Sequence, residues 1–270
     1  MAQAEWSSGR LGLLRHLCLA ILASLLWSPS AYAYCDWNDK AVWTYDGTFG
    51  GSERIRITLR YGEFGDSHVE GAYYPERSDE VLLIQGVVSD GRTLQAGVTG
   101  SDGKPRAVIS AEYLDTDPRA GYAPGTRLRC ESLAGEWRFE GKAPVALYLH
   151  SGSGAYGAAV GHVYADLGVS DDRVVDKAVR RFQDAVARGD WKAVAAQVRF
   201  PLAVKIGKKH LKLATGADLV RHHAAIFAPD FRRRVVTDYG RALFVRQGQV
   251  MLGRGEVWFD QKLRVIALQP

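Results

Sequence analysis

The 270-residue chain reads as a leader followed by two folded units: an all-β N-terminal barrel or sandwich, then an α+β domain. Three observations predict this. The first 33 residues are laid out as an export signal, the hydrophobic period switches from two to 3.6 near residue 170, and the charge changes sign there too. Residues 34–170 hold 13 Lys+Arg against 19 Asp+Glu, net −6, and residues 171–270 hold 20 against 10, net +10; with +1 from the leader the total is +5. The expected bounds are 1–33 for the signal, 34–168 for the β domain and 169–270 for the α+β domain.

Arg10 and Arg15 precede the apolar run "LCLAILASLL", which is too short to span a bilayer. Ser28-Pro29 breaks the run and Ala31-Tyr32-Ala33 fits a small-x-small cleavage pattern. The expectation is export to the periplasm or beyond, with no transmembrane segment left after cleavage. Cys18 leaves with the leader. Cys35 and Cys130 then form an even pair in an oxidising compartment, so a disulfide is expected. Closing a loop of this length would contribute about 4 kcal/mol. No His/Cys cluster accompanies them, so neither a metal nor a cofactor is predicted.

In the β half, "RIRITLRY" (54–61) alternates strictly, with Ile55, Ile57, Leu59 and Tyr61 on one face. "VLLIQGVV" (81–88), "TLQAGVT" (93–99), "RAVISAEYL" (106–114), "GEWRFEG" (135–141) and "PVALYLH" (144–150) come next at short spacing. Asp90-Gly91 should sit at a hairpin tip, and Asp102-Gly103 marks another turn. Many short strands without a helical period indicate a small antiparallel barrel or sandwich.

From Ser170 the pattern becomes helical. Ser170 caps a helix with Asp171 and Asp172 in its first turn, and Gly189 ends it. Asp190 caps a short second helix, "LAVKIG" and "HLKLA" form a hairpin, and Thr215 with Asp218 opens a third helix that stops before Pro229. Strands 241–248, 249–260 and 262–269 are expected to close the chain. This order, with "RRFQDAVARGDWKAVAAQVRFPLAV" as its opening and "GQVMLGRGEVWFD" as a long curved strand, resembles the nuclear-transport-factor-2-like superfamily over the last ~100 residues. The resemblance implies a cone-shaped α+β domain that holds a small ligand, hosts isomerase or dehydratase chemistry, or serves as a binding module.

On one strand, Arg254, Glu256 and Trp258 would share a face. They form either a structural ion pair or one wall of a ligand site. His223 falls on the apolar face of the third helix, as a core histidine or as a polar group aimed into the cone. The segment "HSGSGAYGAAVGHVY" (150–164) reads as a loop, with Ser151, Ser153 and Tyr156 as its partner-binding residues. It is similar to the Ser/Gly loop of bacterial periplasmic lysozyme inhibitors, with the tyrosine one residue later than in their Ser-Gly-x-x-Tyr pattern. No acid–base pair at suggestive spacing emerges, so no catalytic residue is assigned.

The functional expectation is an exported binding protein without catalysis, engaging a periplasmic protein or an anionic small molecule. Inhibition of, or immunity to, a cell-wall enzyme is one form of that. The alternative is a small-molecule pocket with isomerase-like or hydrolytic activity. The compartment argues against nucleic acid despite "FRRRVV" (231–236).

Overall fold

The computed structural model describes residues 41–62, 67–114, 132–156 and 159–270, without the side chains of 153–156. The expected leader, Cys35 and Cys130 lie outside the described residues. The described residues belong to one compact unit.

Eight antiparallel strands close into a barrel: β1 (Ala41–Phe49), β2 (Glu53–Tyr61), β3 (His68–Tyr73), β4 (Leu82–Ser89), β5 (Thr93–Thr99), β6 (Pro105–Leu114), β7 (Ser132–Phe139) and β8 (Val145–Tyr156), with β8 returning to β1. Alternation drives the closure, because every second side chain must leave water. Ile57, Leu59, Ile84, Val98, Ile109, Leu133, Trp137 and Leu149 are fully buried inside. An eight-stranded barrel is just wide enough for such side chains to fill, so this interior is a core and not a channel. The outer wall carries cross-strand pairs such as Arg60–Glu70 and Gln95–Ser110. That polarity is the inverse of a lipid-facing barrel. Among the described residues no helix is long and apolar enough to cross a membrane. Asp90 and Gly91, both at positive φ, turn β4 into β5 as their sequence predicts.

After the barrel come α1 (Asp172–Arg188), α2 (Trp191–Ala196), the hairpin β9 (Leu202–Ile206) and β10 (Lys209–Leu213), α3 (Gly216–Ile226), α4 (Pro229–Thr237), and the short strands β11 (Phe244–Arg246), β12 (Gln249–Leu252), β13 (Val257–Phe259) and β14 (Val265–Leu268). The helix signals act locally, as their chemistry requires. Asp171, rather than Ser170, caps α1 by accepting the Arg173 N–H; Gly189 ends it at φ 69°; Asp190 caps α2; Thr215 and Asp218 form a capping box. Helix α4 is an addition to the expected elements, with Pro229 at its first turn and Phe231 and Val235 on one face as its signals.

The region after the barrel is not the expected cone-shaped, nuclear-transport-factor-2-like domain. Its strands fall into a two-stranded sheet, β10-β9, and a four-stranded sheet, β11-β12-β13-β14. The run expected to be one strand over 249–260 is broken by a turn, because Gly253 and Gly255 adopt φ 74° and 110°. Gln247 and Gly248, both at positive φ, make the preceding two-residue hairpin turn. No strand of this sheet exceeds four residues, too short for a curved cone wall.

The barrel and the C-terminal region meet around a buried arginine. Arg241 is 1% exposed. Its Nε donates to Asp176 of α1 at 2.9 Å, and Nη1 donates to the carbonyls of Pro75, Ser78 and Glu80 at 2.8, 2.5 and 3.0 Å. Tyr164 donates to Asp176 at 3.0 Å and accepts the Leu243 N–H at 2.8 Å. Ala72 and Tyr74 of the barrel pack in the same apolar cluster as α1 and the C-terminal sheet.

Two measurements check this junction. Arg241→Ala should cost about 3–5 kcal/mol in urea unfolding, because it strands a buried carboxylate and several carbonyls; the Arg241→Ala, Asp176→Ala double variant should lose less than the sum of the singles. Asp172 accepts the Val163 and Tyr164 N–H groups, yet burial outweighs them and raises its carboxyl to about 6. Since the folded value lies above the unfolded one, the native state binds the extra proton between about pH 4 and 6. Stability should therefore rise as pH falls from 7.5 toward 5, and melts of Asp172→Asn should show less of that rise.

Candidate functional site

A cleft of ≈ 580 Å³ lies between one barrel wall and the C-terminal sheet. Strand register builds the barrel wall. Arg56 of β2 stands opposite Asp46 of β1, Asp46 opposite His150 of β8, and His150 opposite Ser132 of β7. Four polar residues thus cross four strands in one row on the outer face. Arg56 holds Asp46 with two hydrogen bonds, Nε–Oδ1 at 2.5 Å and Nη2–Oδ2 at 2.9 Å. Its Nη1 also donates to the Arg241 carbonyl at 2.9 Å, which ties the row to the junction. His150 Nδ1 lies 3.4 Å from the Ser132 hydroxyl.

A bulge interrupts this wall. Tyr45 pairs with Ser151 while Thr44 pairs with Ser153, which leaves Gly152 unpaired in β8. The unpaired Gly152 lies beside the Asp46 carboxylate at the cleft. The first part of the segment expected to be a partner-binding loop, residues 150–156, is therefore strand, because closing the barrel requires a partner for β1. Ser151 lies on that strand at the cleft. Ser153 and Tyr156 belong to the same strand, and their side chains lie outside the described residues.

The opposite wall comes from Asp238, Ala242, Leu243, Phe244, Met251, Gly253 and Arg254. Arg254 sits in the 253–256 turn and not on a strand face, which corrects the expected alignment with Glu256 and Trp258. Glu256 does not pair with the Arg254 guanidinium. Its Oε1 accepts from Arg234 of α4 at 3.0 Å and its Oε2 accepts the Arg254 backbone N–H at 2.5 Å. The Gly253 N–H meets Asp238, whose carboxyl is raised by burial against the opposing pull of Arg56 and nearby backbone N–H groups. Two carboxylates thus fix the turn, and the Arg254 guanidinium has no hydrogen-bond or ion-pair partner among the described residues.

Trp258 is partly buried on β13, opposite Met251, whose side chain borders the cleft. His223 lies elsewhere. Its ring stacks on Trp191 at 4.8 Å, and Nδ1 bonds the Val220 carbonyl at 2.8 Å, a packed role within α3. Among the described residues no group of three or more His, Cys, Asp or Glu could hold a metal ion. Sequence reasoning missed Asp46, Arg56 and Ser132, and passed over His150 and Asp238. For Arg56 the signal existed: strict alternation in β2 places it opposite the core face.

Compared with family models, with curated proteins and with solved structures, the chain finds no match.

The division of labour between Arg254 and Glu256 is testable by thermal and urea melts. Arg254→Ala should shift stability by no more than about 0.5 kcal/mol, as for a surface substitution. Glu256→Ala should cost about 1–3 kcal/mol, since it removes a carboxylate only 14% exposed that holds both α4 and the turn.

Proposed function

We propose that this is an exported binding protein without catalysis, whose cleft takes an anionic group on Arg254. The carrying observation is the Arg254 guanidinium, unpartnered at the cleft among the described residues while its own backbone is held by Glu256. The other cation of the cleft wall is already engaged: Arg56 is occupied by Asp46 and two backbone carbonyls. A carboxylate or phosphate can take two parallel hydrogen bonds from such a planar group. Met251 and Phe244 offer apolar surface beside it, the usual composition of a small-ligand site.

The Ser132–His150–Asp46 row favours a hydrolytic reading only superficially. Ser132 is 1% exposed, so its hydroxyl cannot meet a carbonyl carbon, and both Asp46 oxygens are held by Arg56. A binding role requires none of these groups to move.

The test is a thermal-shift titration of the exported protein with citrate, inorganic phosphate and a muropeptide mixture. At least one should raise the melting temperature, and Arg254→Ala should weaken that ligand about 10- to 100-fold while melting normally when unliganded. Equal responses from both proteins would remove the cleft from the binding role. Ester hydrolysis abolished by Ser132→Ala would replace binding with catalysis.

A further inference from the structure

The β9–β10 hairpin carries a charge pattern that neither the fold nor the cleft uses. Between Asp190 and Asp218 the sequence has no acidic residue, while it has Lys192, Arg199, Lys205, Lys208, Lys209 and Lys212. Strand pairing gathers several of these. Lys205 stands opposite His210, and Lys212 opposite Ala203, so Ala203, Lys205, His210 and Lys212 form the outward face, all exposed. Leu202, Val204 and Leu213 are buried on the inward face, and Ile206 and Leu211 pack against the core. Lys208 and Lys209 extend the cationic surface over the exposed turn, where Gly207 at φ 57° makes the reversal. None of the four hairpin lysines has an ion-pair or hydrogen-bond partner among the described residues.

We propose that this ribbon is a docking surface for an anionic lipid bilayer. Charge complementarity requires an anionic partner, and two features select a membrane over an acidic protein. A protein interface needs an apolar or aromatic anchor at its centre, and the outward face offers only Ala203. The cations are all lysines, compact hydrated point charges suited to a diffuse field of headgroups and without the planar fork that binds one carboxylate bidentately. A short cationic ribbon laid on a charged surface gains from each lysine near the headgroups, and salt screens that gain.

Vesicle sedimentation of the full exported chain tests this, using phosphatidylglycerol/phosphatidylcholine vesicles against pure phosphatidylcholine. Binding should occur only with phosphatidylglycerol and should fade as salt is raised. The triple variant Lys205→Gln, Lys208→Gln, Lys212→Gln should bind about a hundredfold more weakly, at about fivefold per lysine. The corresponding triple lysine-to-arginine variant should keep its binding, which separates lost charge from lost fold. Equal partition of the wild type onto both vesicle types, undiminished binding by the glutamine variant, or capture of soluble polyglutamate without any vesicle binding would each overturn the proposal.

Discussion

One buried guanidinium holds the described molecule together. Arg241 faces a carboxylate on α1 and three backbone carbonyls of the loop between β3 and β4, at a point with almost no access to water. A charge there is tolerable only when paired and fully hydrogen-bonded. Among the described residues the Ser78 and Glu80 carbonyls would otherwise be acceptors without donors, while the Pro75 carbonyl also accepts the Ser78 N–H. Their joint satisfaction locates the segment 238–243, whose carbonyls at Tyr239 and Arg241 then receive Arg56 from the barrel wall. Gly240 belongs to this arrangement, since a Cβ there would collide with the Gln183 side-chain oxygen. Gln183 in turn donates to the Val235 and Asp238 carbonyls, which fixes the end of α4. The cleft therefore inherits its geometry from Arg241, although Arg241 does not line it.

The opposed charges of the two halves acquire a partial physical account from this junction. Lys177 and Arg180 of α1 both reach Asp79 in the barrel loop. These contacts are exposed and contribute little stability each. The excess that remains is not spread evenly. Part sits at Arg254, where the backbone is fixed and the side chain is unoccupied, and part sits on the β9–β10 ribbon. A buried arginine that joins two halves through backbone carbonyls, an isolated cation at a cleft and a flat lysine face do different work, and the net charge alone distinguishes none of them.

Strictly alternating strands are legible in the sequence, because one buried face leaves a period of two. Strands β2, β5 and β6 fall almost where that period places them. Strand β1 is hidden for an identifiable reason. Trp43, Tyr45 and Phe49 do alternate with Thr44, Asp46 and Thr48, but the apolar face is interrupted at Gly47, which stands where a Cβ would collide with the Tyr148 carbonyl. The C-cap of α1 and the N-caps of α2 and α3 are legible because a cap is a contact within four residues, whereas the N-cap of α1 falls on Asp171, one residue past the expected Ser170. The C-terminal sheet is ambiguous in the sequence because glycine in a strand-like run signals either a bend or a left-handed turn, and only the sign of φ separates them. Of the candidate site, Arg254 and Ser151 are visible as unusual residues in unusual runs. The Arg56–Asp46–His150 row is not, since it exists only through the register of three strands, two of them roughly 100 residues apart in sequence.

The turn that replaces the expected strand also changes what Arg254 can do. On a strand, its side chain would have shared a face with Glu256 and been neutralised by it. In the turn, Glu256 grips the Arg254 N–H and Arg234, so the carboxylate serves the backbone and leaves the guanidinium uncompensated. A ligand arriving there need not reorganise the backbone, which lowers the cost of binding. It must still immobilise a long side chain, at up to about 2 kcal/mol. That cost is comparable with the gain from a single charge-assisted hydrogen bond of about 1.5–3 kcal/mol. Arg254 alone would thus give weak capture of any anion. Useful affinity requires a ligand that also reaches the barrel wall at Ser151 and the Asp46–His150 row, so selectivity belongs to molecules long enough to touch both sides of the cleft.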